Sequence, residues 1–120
     1  MKYFFDTYAL FELIKKNRAY EKFFDEEITT SILNLGELYY GLLKEHGQQT
    51  ALEWFNKLKV LTIPINEDLM RKAMDFKFKN KPKKFSFVDC VSYTLSVDHE
   101  LIFLTGDKEF QGLANVEFVK

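Results

Sequence analysis

The sequence predicts an α/β fold, a three-layer α/β/α sandwich with a central, mainly parallel sheet. Short apolar runs that suit buried strands alternate along the chain with longer segments of helical periodicity. Such alternation is typical of parallel sheets, because their crossover connections place helices on both faces. The chain has 120 residues, 47% of them apolar and 13 of them Phe, which is the length and core material of one domain spanning residues 1–120.

The first half of the chain is expected to begin with a strand and to continue through alternating helices and a second strand. Thr7 is an N-cap candidate for the first helix, and Ser31 can cap the helix that follows a β-branched run. In chain order the expected elements are a strand over residues 2–5, helices over 7–16 and 18–24, a strand over 28–30, and helices over 31–44 and 48–58.

The second half is expected to hold three strands and two helices. Pro64 lies in the first of these strands and indicates an edge position or the strand's end, because proline cannot donate to a ladder. Asn66 is the N-cap candidate of the helix that follows. In chain order the elements are a strand over 60–65, helices over 67–78 and 86–97, and strands over 101–104 and 117–119.

Composition excludes several classes of protein. Charged residues make up 29% of the chain, which argues against both disorder and membrane burial. No stretch approaches the ~18 apolar residues of a membrane span, and the N-terminus does not resemble a signal peptide. A soluble, cytoplasmic protein is expected. The single cysteine, Cys90, cannot form an internal disulfide, and without a Cys/His cluster any metal would be held by oxygen.

Four acidic residues stand where the predicted fold can gather them. Asp6 and Asp107 each follow a predicted strand, and open α/β sheets bind ligands beyond the carboxyl ends of their strands. Glu37 lies within an otherwise apolar helix, one turn before Gly41, which would leave space beside the carboxylate; Asp89 lies in the first turn of its helix. Clustered carboxylates are the ligands that the hard cations Mg²⁺ and Mn²⁺ prefer, so the pattern predicts a divalent-metal site.

A basic segment precedes Asp89. Residues 71–84 carry six net positive charges, although the whole chain has a net charge of −1. Clusters of positive charge of this kind more often form a solvated loop. Its position next to the acidic residues instead favours RNA phosphate binding, for which the candidates are Lys81, Lys83 and Lys84.

Four short segments also carry a family resemblance. In order and spacing they resemble the PIN-domain nucleases, and more narrowly the small VapC toxins of prokaryotic toxin–antitoxin modules. These segments are residues 5–7, 31–41, 85–89 and 104–110. The chain departs from the common pattern at Tyr8, where many members have Asn or Ser, and at Glu109, where many have Asp.

The resemblance implies a ribonuclease that depends on Mg²⁺ or Mn²⁺. Carried over position by position, it makes Asp6, Glu37, Asp89 and Asp107 both the catalytic and the metal-binding residues. Thr7 and Thr105 would be the hydroxyl groups beside them. It further implies an RNA substrate, a cognate antitoxin protein and a homodimer. The helix over 32–43 is apolar on nearly every side, which indicates either core packing or contact with such partners. The interface candidates are Tyr39, Tyr40, Leu43 and, from the next helix, Trp54.

Other classes of protein stay open at this point. A phosphatase of the haloacid-dehalogenase type or a response-regulator receiver would also place an Asp after the first strand and bind Mg²⁺. The phosphatase needs a second Asp two residues later, where this chain has Tyr8. A housekeeping PIN-type protein, instead of a toxin, is a further alternative. An inactive nucleic-acid-binding or partner-binding module with vestigial acids would keep the basic segment and lose metal dependence. Metal-dependent cleavage of RNA discriminates between these alternatives.

Overall fold

The computed structural model describes residues 2–120 and has four parallel strands in the order β2-β1-β3-β4. The chain runs through β1 (Tyr3–Phe5), α1 (Thr7–Ile14), β2 (Ile28–Thr29), α2 (Ile32–His46), α3 (Gln48–Leu58), α4 (Glu67–Lys79), α5 (Phe87–Asp98), β3 (Ile102–Thr105) and β4 (Val116–Phe118). Short 3₁₀ segments lie at Arg18–Phe23, Lys59–Leu61 and Lys108–Phe110. The predicted three-layer α/β/α sandwich is therefore confirmed.

Alternate residues of the central strands supply two separate cores. Phe4 and Phe103 are paired in register, stack with ring centroids 5.9 Å apart, and join the apolar cluster under α4 and α5. Phe5 and Leu104, the next pair in register, enter the opposite cluster under α1, α2 and α3. Both faces of β1 and β3 are therefore buried, which explains why their sequences read as continuous apolar runs.

Two details of the predicted elements are wrong. The segment 60–65 is not a strand: its start is the 3₁₀ segment Lys59–Leu61, and Thr62 makes only an isolated parallel bridge to Thr30. Val60 is 77% exposed, and Pro64 has no N–H with which to extend the pairing. The N-cap of α1 is Asp6 rather than Thr7, because the carboxylate of Asp6 accepts the N–H of Ala9.

Gly41 serves the contact between α1 and α2 instead of leaving space beside Glu37. A Cβ atom at Gly41 would lie 2.2 Å from Cζ of Phe11, so the ring of Phe11 already fills the space that the missing side chain leaves. Gly36, in the same helix, has no such neighbour within 4 Å. The two glycines of α2 therefore form a matched pair for a test of this contact.

We expect Gly41→Ala to lower the free energy of unfolding by roughly 1–3 kcal/mol, because overpacking against Phe11 outweighs the better helix propensity of alanine. Gly36→Ala should raise it by roughly 0.5–1 kcal/mol, since only the propensity changes. Urea unfolding of both variants measures the difference. Equal stabilisation by the two substitutions would contradict the role assigned to Gly41.

The helices of residues 2–120 include none that is both long and apolar enough to cross a bilayer. The apolar excess of α2 is mostly used within the domain. Tyr39, Leu43 and Trp54 pack against the cluster under α1, α2 and α3. Tyr40 differs, since it is 62% exposed and remains a candidate for contact with a partner.

Candidate active site

The carboxyl ends of β1 and β3 meet at the switch point of the sheet. The chain leaves β1 toward β2 on one side and later returns to β3 on the other, so the strand order reverses between β1 and β3. The N–H of Asp6 donates to the carbonyl of Leu104 at 3.2 Å and extends the ladder past the end of β1. Asp6 is thereby fixed in the crevice where open α/β sheets bind their ligands.

Asp6 is a buried carboxyl group with two protein donors. One oxygen accepts the N–H of Ala9 at 2.8 Å, and the other accepts the hydroxyl of Thr105 at 2.5 Å. The pKa of Asp6 is raised from 3.8 to about 7, chiefly by burial; the bonds from Thr105 and Ala9 act to lower it, and the charges of Asp89 and Asp107 act to raise it. Near neutral pH this group therefore lies close to its point of half-protonation.

Thr105 connects Asp6 to Asp107. The hydroxyl oxygen of Thr105, which donates to Asp6, also accepts the N–H of Asp107 at 3.0 Å. Asp107 in turn caps the 3₁₀ segment Lys108–Phe110 by accepting the N–H of Glu109 at 3.0 Å. Gly106 allows the close approach of α1 at this point, because a Cβ there would lie 2.3 Å from the ring of Tyr8.

Asp89 approaches from the first turn of α5. It completes a capping box with Ser86, accepting the N–H of Ser86 at 2.8 Å and donating its own N–H to the Ser86 hydroxyl at 3.0 Å. Burial is the largest cause that raises the pKa of Asp89, and the charges of Asp107 and Glu37 raise it further. Asp89 therefore shares one electrostatic environment with acidic residues from three other segments.

Glu37 is exposed on α2, not buried among the apolar residues that surround it in sequence. Its carboxylate accepts the hydroxyl of Thr7 at 2.6 Å, which joins α2 to the first residue of α1. Glu37 is thereby held beside the segment that begins at Asp6.

A buried polar network that the sequence analysis missed supports this contact. The amide of Asn34, which is 1% exposed, donates to Thr7 at 3.1 Å and accepts from the hydroxyl of Ser31 at 2.6 Å. The hydroxyl of Ser92 on α5 lies 2.9 Å from the same amide oxygen and 2.7 Å from the carbonyl of Val88, so its proton is shared. The network fixes α1, α2 and α5 relative to one another. A signal was present, since Asn34 is one turn before Glu37 on the polar stripe of α2.

The donor set fits a hard divalent cation in its chemistry. All four groups are carboxylates, and beyond burial their mutual repulsion raises the pKa of both Asp6 and Asp89, as a site that concentrates negative charge requires. As the side chains stand, no group of three or more His, Cys, Asp or Glu side chains in residues 2–120 is arranged to coordinate one ion. Each carboxylate accepts a hydrogen bond from the protein, and the donors are Ala9 and Thr105, Thr7, Ser86 and Glu109. A change of side-chain rotamer would redirect a carboxylate without moving the backbone that carries it.

The basic segment, residues 71–84, contacts the segment that begins at Asp107. Lys81, Lys83 and Lys84 are all exposed. The ammonium group of Lys83 donates to the carbonyl of Glu109 at 3.1 Å, and the N–H of Lys84 donates to the Glu109 carboxylate at 3.2 Å. Glu109, a departure from the common family pattern, thus links the basic loop to the segment that begins at Asp107.

Comparison with known proteins places the chain in a family. The model of the PIN domain matches residues 3–116, nearly the whole sequence, so the chain belongs to the PIN-domain family. No curated protein matches the sequence.

Solved structures with the same fold are distant in sequence. The fold is similar to VapC20 of Mycobacterium tuberculosis, described as a sarcin-ricin loop cleaving toxin, with a TM-score of 0.83, 19% identity, and coverage of 99% of this chain and 100% of that one. A toxin–antitoxin complex from Klebsiella pneumoniae matches with a TM-score of 0.78 and 20% identity over 99% of this chain and 98% of that one. DNA-bound VapBC from Salmonella typhimurium also has a TM-score of 0.78, with 17% identity over 100% and 99% of the two chains. At these identities the likeness shows a shared fold.

Proposed function

We propose that this protein is a metal-dependent endoribonuclease and the toxin of a VapBC-type toxin–antitoxin pair. The single observation that carries the proposal is Asp6, a buried carboxyl group at the switch point of a PIN-domain sheet. Its pKa is about 7, raised first by burial and then by Asp89 and Asp107. A buried acid held at high electrostatic cost beside two other acids is characteristic of functional sites.

Asp6, Glu37, Asp89 and Asp107 would hold the cation, Mg²⁺ or Mn²⁺, and are the proposed catalytic residues. A bound cation of this kind supplies hydroxide at neutral pH and neutralises charge on a phosphodiester that is being cleaved. Thr105 positions Asp6 and Asp107 together through its two hydrogen bonds, and Thr7 holds Glu37. The four carboxylates also set the sign of the local field, so the flanking basic loop is needed to attract RNA.

Partners follow from the same family resemblance. Structures that share this fold include toxin–antitoxin complexes, which supports a cognate antitoxin as the protein partner. We further propose that the protein forms a homodimer that uses the exposed ring of Tyr40 on α2. The proposed substrate is RNA, so the proposed location is the cytoplasm. An inactive PIN-type RNA-binding module is the alternative. It would keep the basic loop and show no metal-dependent cleavage.

Cleavage assays with purified protein test the proposal. Single-stranded or looped RNA should be cut in Mg²⁺ or Mn²⁺, EDTA should abolish the cleavage, and added Mn²⁺ should restore it. The protein should be purified free of other ribonucleases, with Asp25→Asn, a change at an exposed turn residue, as the matched active control. Cleavage that persists in EDTA would point to a mechanism without metal.

The basic loop gives a second test, on binding. Replacing Lys81, Lys83 and Lys84 together by Gln should weaken RNA binding and reduce the slope of log affinity against log salt by roughly 0.7 for each phosphate that the protein no longer neutralises. Fluorescence anisotropy in EDTA at several salt concentrations measures both quantities. Replacement of Lys44, Lys57 and Lys59, exposed on α2, α3 and the 3₁₀ segment after α3, changes net charge equally and is the control. If both triple variants behave alike, the loop is only a solvated segment.

A further inference from the structure

The end of α4 exposes an aromatic ring beside a cavity. Phe78 is 68% exposed, although most large apolar side chains of the domain are buried. The cavity next to it has a volume of about 340 Å³ and is lined by Met74, Lys77, Phe78, Lys81, Lys83 and Phe85. Three of the six lining residues are lysines and two are aromatic, a combination that suits neither a simple core gap nor an ordinary solvated loop.

The lysines are oriented around this cavity by contacts with the protein. The ammonium group of Lys81 lies 4.5 Å from the centroid of the Phe78 ring. Lys77 donates to the carbonyl of Phe85 at 2.7 Å, and Lys83 donates to the carbonyl of Glu109 at 3.1 Å. Each lysine ammonium group carries three donors, so Lys77 and Lys83 keep donors for an anion while one is engaged.

The cavity adjoins the carboxylate cluster along the chain and in space. Phe85 lines the cavity and immediately precedes Ser86, whose capping box holds Asp89. Glu109, which binds Lys83 and Lys84, also donates its N–H to Asp107. A single strand of nucleic acid bound at the acidic residues and extended along this surface would therefore reach the lysines of the cavity.

We propose that this cavity binds one nucleotide of the single-stranded RNA substrate, with its base stacked on Phe78 and its phosphate held by Lys81 and Lys83. The inference rests on the proposed ribonuclease function and adds a base-contacting residue to it. Charge complementarity favours RNA, because the cavity offers positive charge next to an aromatic ring, and base–aromatic stacking beside a cationic groove is how proteins hold single strands. A partner protein with an acidic, apolar segment is the other occupant that the test distinguishes.

The experiment measures binding of a single-stranded oligoribonucleotide by fluorescence anisotropy in EDTA, so that the RNA stays uncut. Phe78→Ala should weaken binding roughly 5- to 150-fold, the usual effect of removing one stacked base, and leave the salt slope unchanged. Phe78→Tyr should bind like the wild type, whereas Phe78→Leu should bind like Phe78→Ala. Phe24→Ala, at another exposed ring, is the control and should bind like the wild type.

An oligonucleotide series with a single abasic position tests stacking directly. At one position, removing the base should weaken binding to the wild type and have little further effect on Phe78→Ala, because both changes remove the same interaction. Additive effects at every position would overturn the proposal, as would wild-type affinity in Phe78→Ala. If Phe78→Ala binds RNA normally but no longer binds a co-expressed acidic partner protein, the occupant is that protein and the RNA assignment is wrong.

These outcomes are separate from failure of the proposed function. Wild-type protein that cleaves RNA in Mn²⁺, together with unaltered binding by Phe78→Ala, would overturn only the nucleotide site. Wild-type protein that cleaves no RNA would overturn the ribonuclease proposal itself. Thermal unfolding of Phe78→Ala should match the wild type, because the ring is mostly exposed, and this excludes misfolding as the cause of weaker binding.

Discussion

Asp6→Asn should reduce RNA cleavage by at least about 10³-fold while the protein stays folded. The carboxamide has nearly the same shape, so its oxygen can accept the N–H of Ala9 and its amide can donate to the Thr105 hydroxyl oxygen, where the carboxylate now accepts at 2.5 Å. The substitution removes the negative charge next to Asp89 and Asp107. Cleavage rates in Mn²⁺ measure the effect.

Circular dichroism provides the folding control for that comparison. Asp25→Asn removes one carboxylate from an exposed turn and should cut RNA at the wild-type rate. Full activity of the Asp6→Asn protein would show that Asp6 is not a catalytic residue. A protein without either activity or structure would show instead that Asp6 acts mainly as the N-cap of α1.

The same substitution should stabilise the protein above neutral pH. In the unfolded chain the carboxyl group of Asp6 ionises near 3.8, whereas in the folded protein burial keeps it protonated up to about 7. The folded state thus binds more protons between these values, so wild-type stability falls as pH rises from about 4 to about 7, and the decrease is complete above that range. Asparagine has no charge to bury. Asp6→Asn should therefore be more stable by up to about 4 kcal/mol at pH 8, from roughly three pKa units at about 1.4 kcal/mol each.

Urea unfolding of both proteins at pH 4 and pH 8, in EDTA, tests the sign of this effect. The advantage of Asp6→Asn should be present at pH 8 and vanish at pH 4, where the wild-type carboxyl group is protonated in the folded state. A constant difference at both pH values would mean that the altered hydrogen bonds, and not the buried charge, determine it. If the difference shifts in favour of the wild type as the pH rises from 4 to 8, the pKa of Asp6 is not raised.

The positions of the strand-end acids could be predicted from the sequence because they depend on topology. Apolar runs followed by Asp6 and Asp107 indicate parallel strands whose carboxyl ends meet, and β1 and β3 are indeed neighbours in the sheet. The same kind of reasoning wrongly predicted a strand over residues 60–65. Its β-branched and apolar residues suit a strand, but strand formation also requires a neighbour to pair with, and only Thr62 has one.

Side-chain contacts were beyond the reach of sequence pattern. Nothing in the spacing shows that Thr7 bonds to Glu37 thirty positions away, or that Ser92 reaches Asn34 across the layers. Gly41 was misjudged for the same reason, since Phe11, which fills its space, comes from another helix. Periodicity determines which face of an element is apolar, whereas hydrogen-bond partners depend on how the faces meet.

Crystals soaked in Mn²⁺ would test the central claim, a divalent-cation site formed by Asp6, Glu37, Asp89 and Asp107, most directly. Manganese gives an anomalous signal that identifies the ion and its ligands without any assumption about activity. We expect a peak in the anomalous difference map in contact with Asp6 and with at least one other of these carboxylates, and no such peak in Asp6→Asn crystals soaked in the same way. A peak that none of the four carboxylates contacts, or no peak at an Mn²⁺ concentration that supports RNA cleavage, would contradict the account.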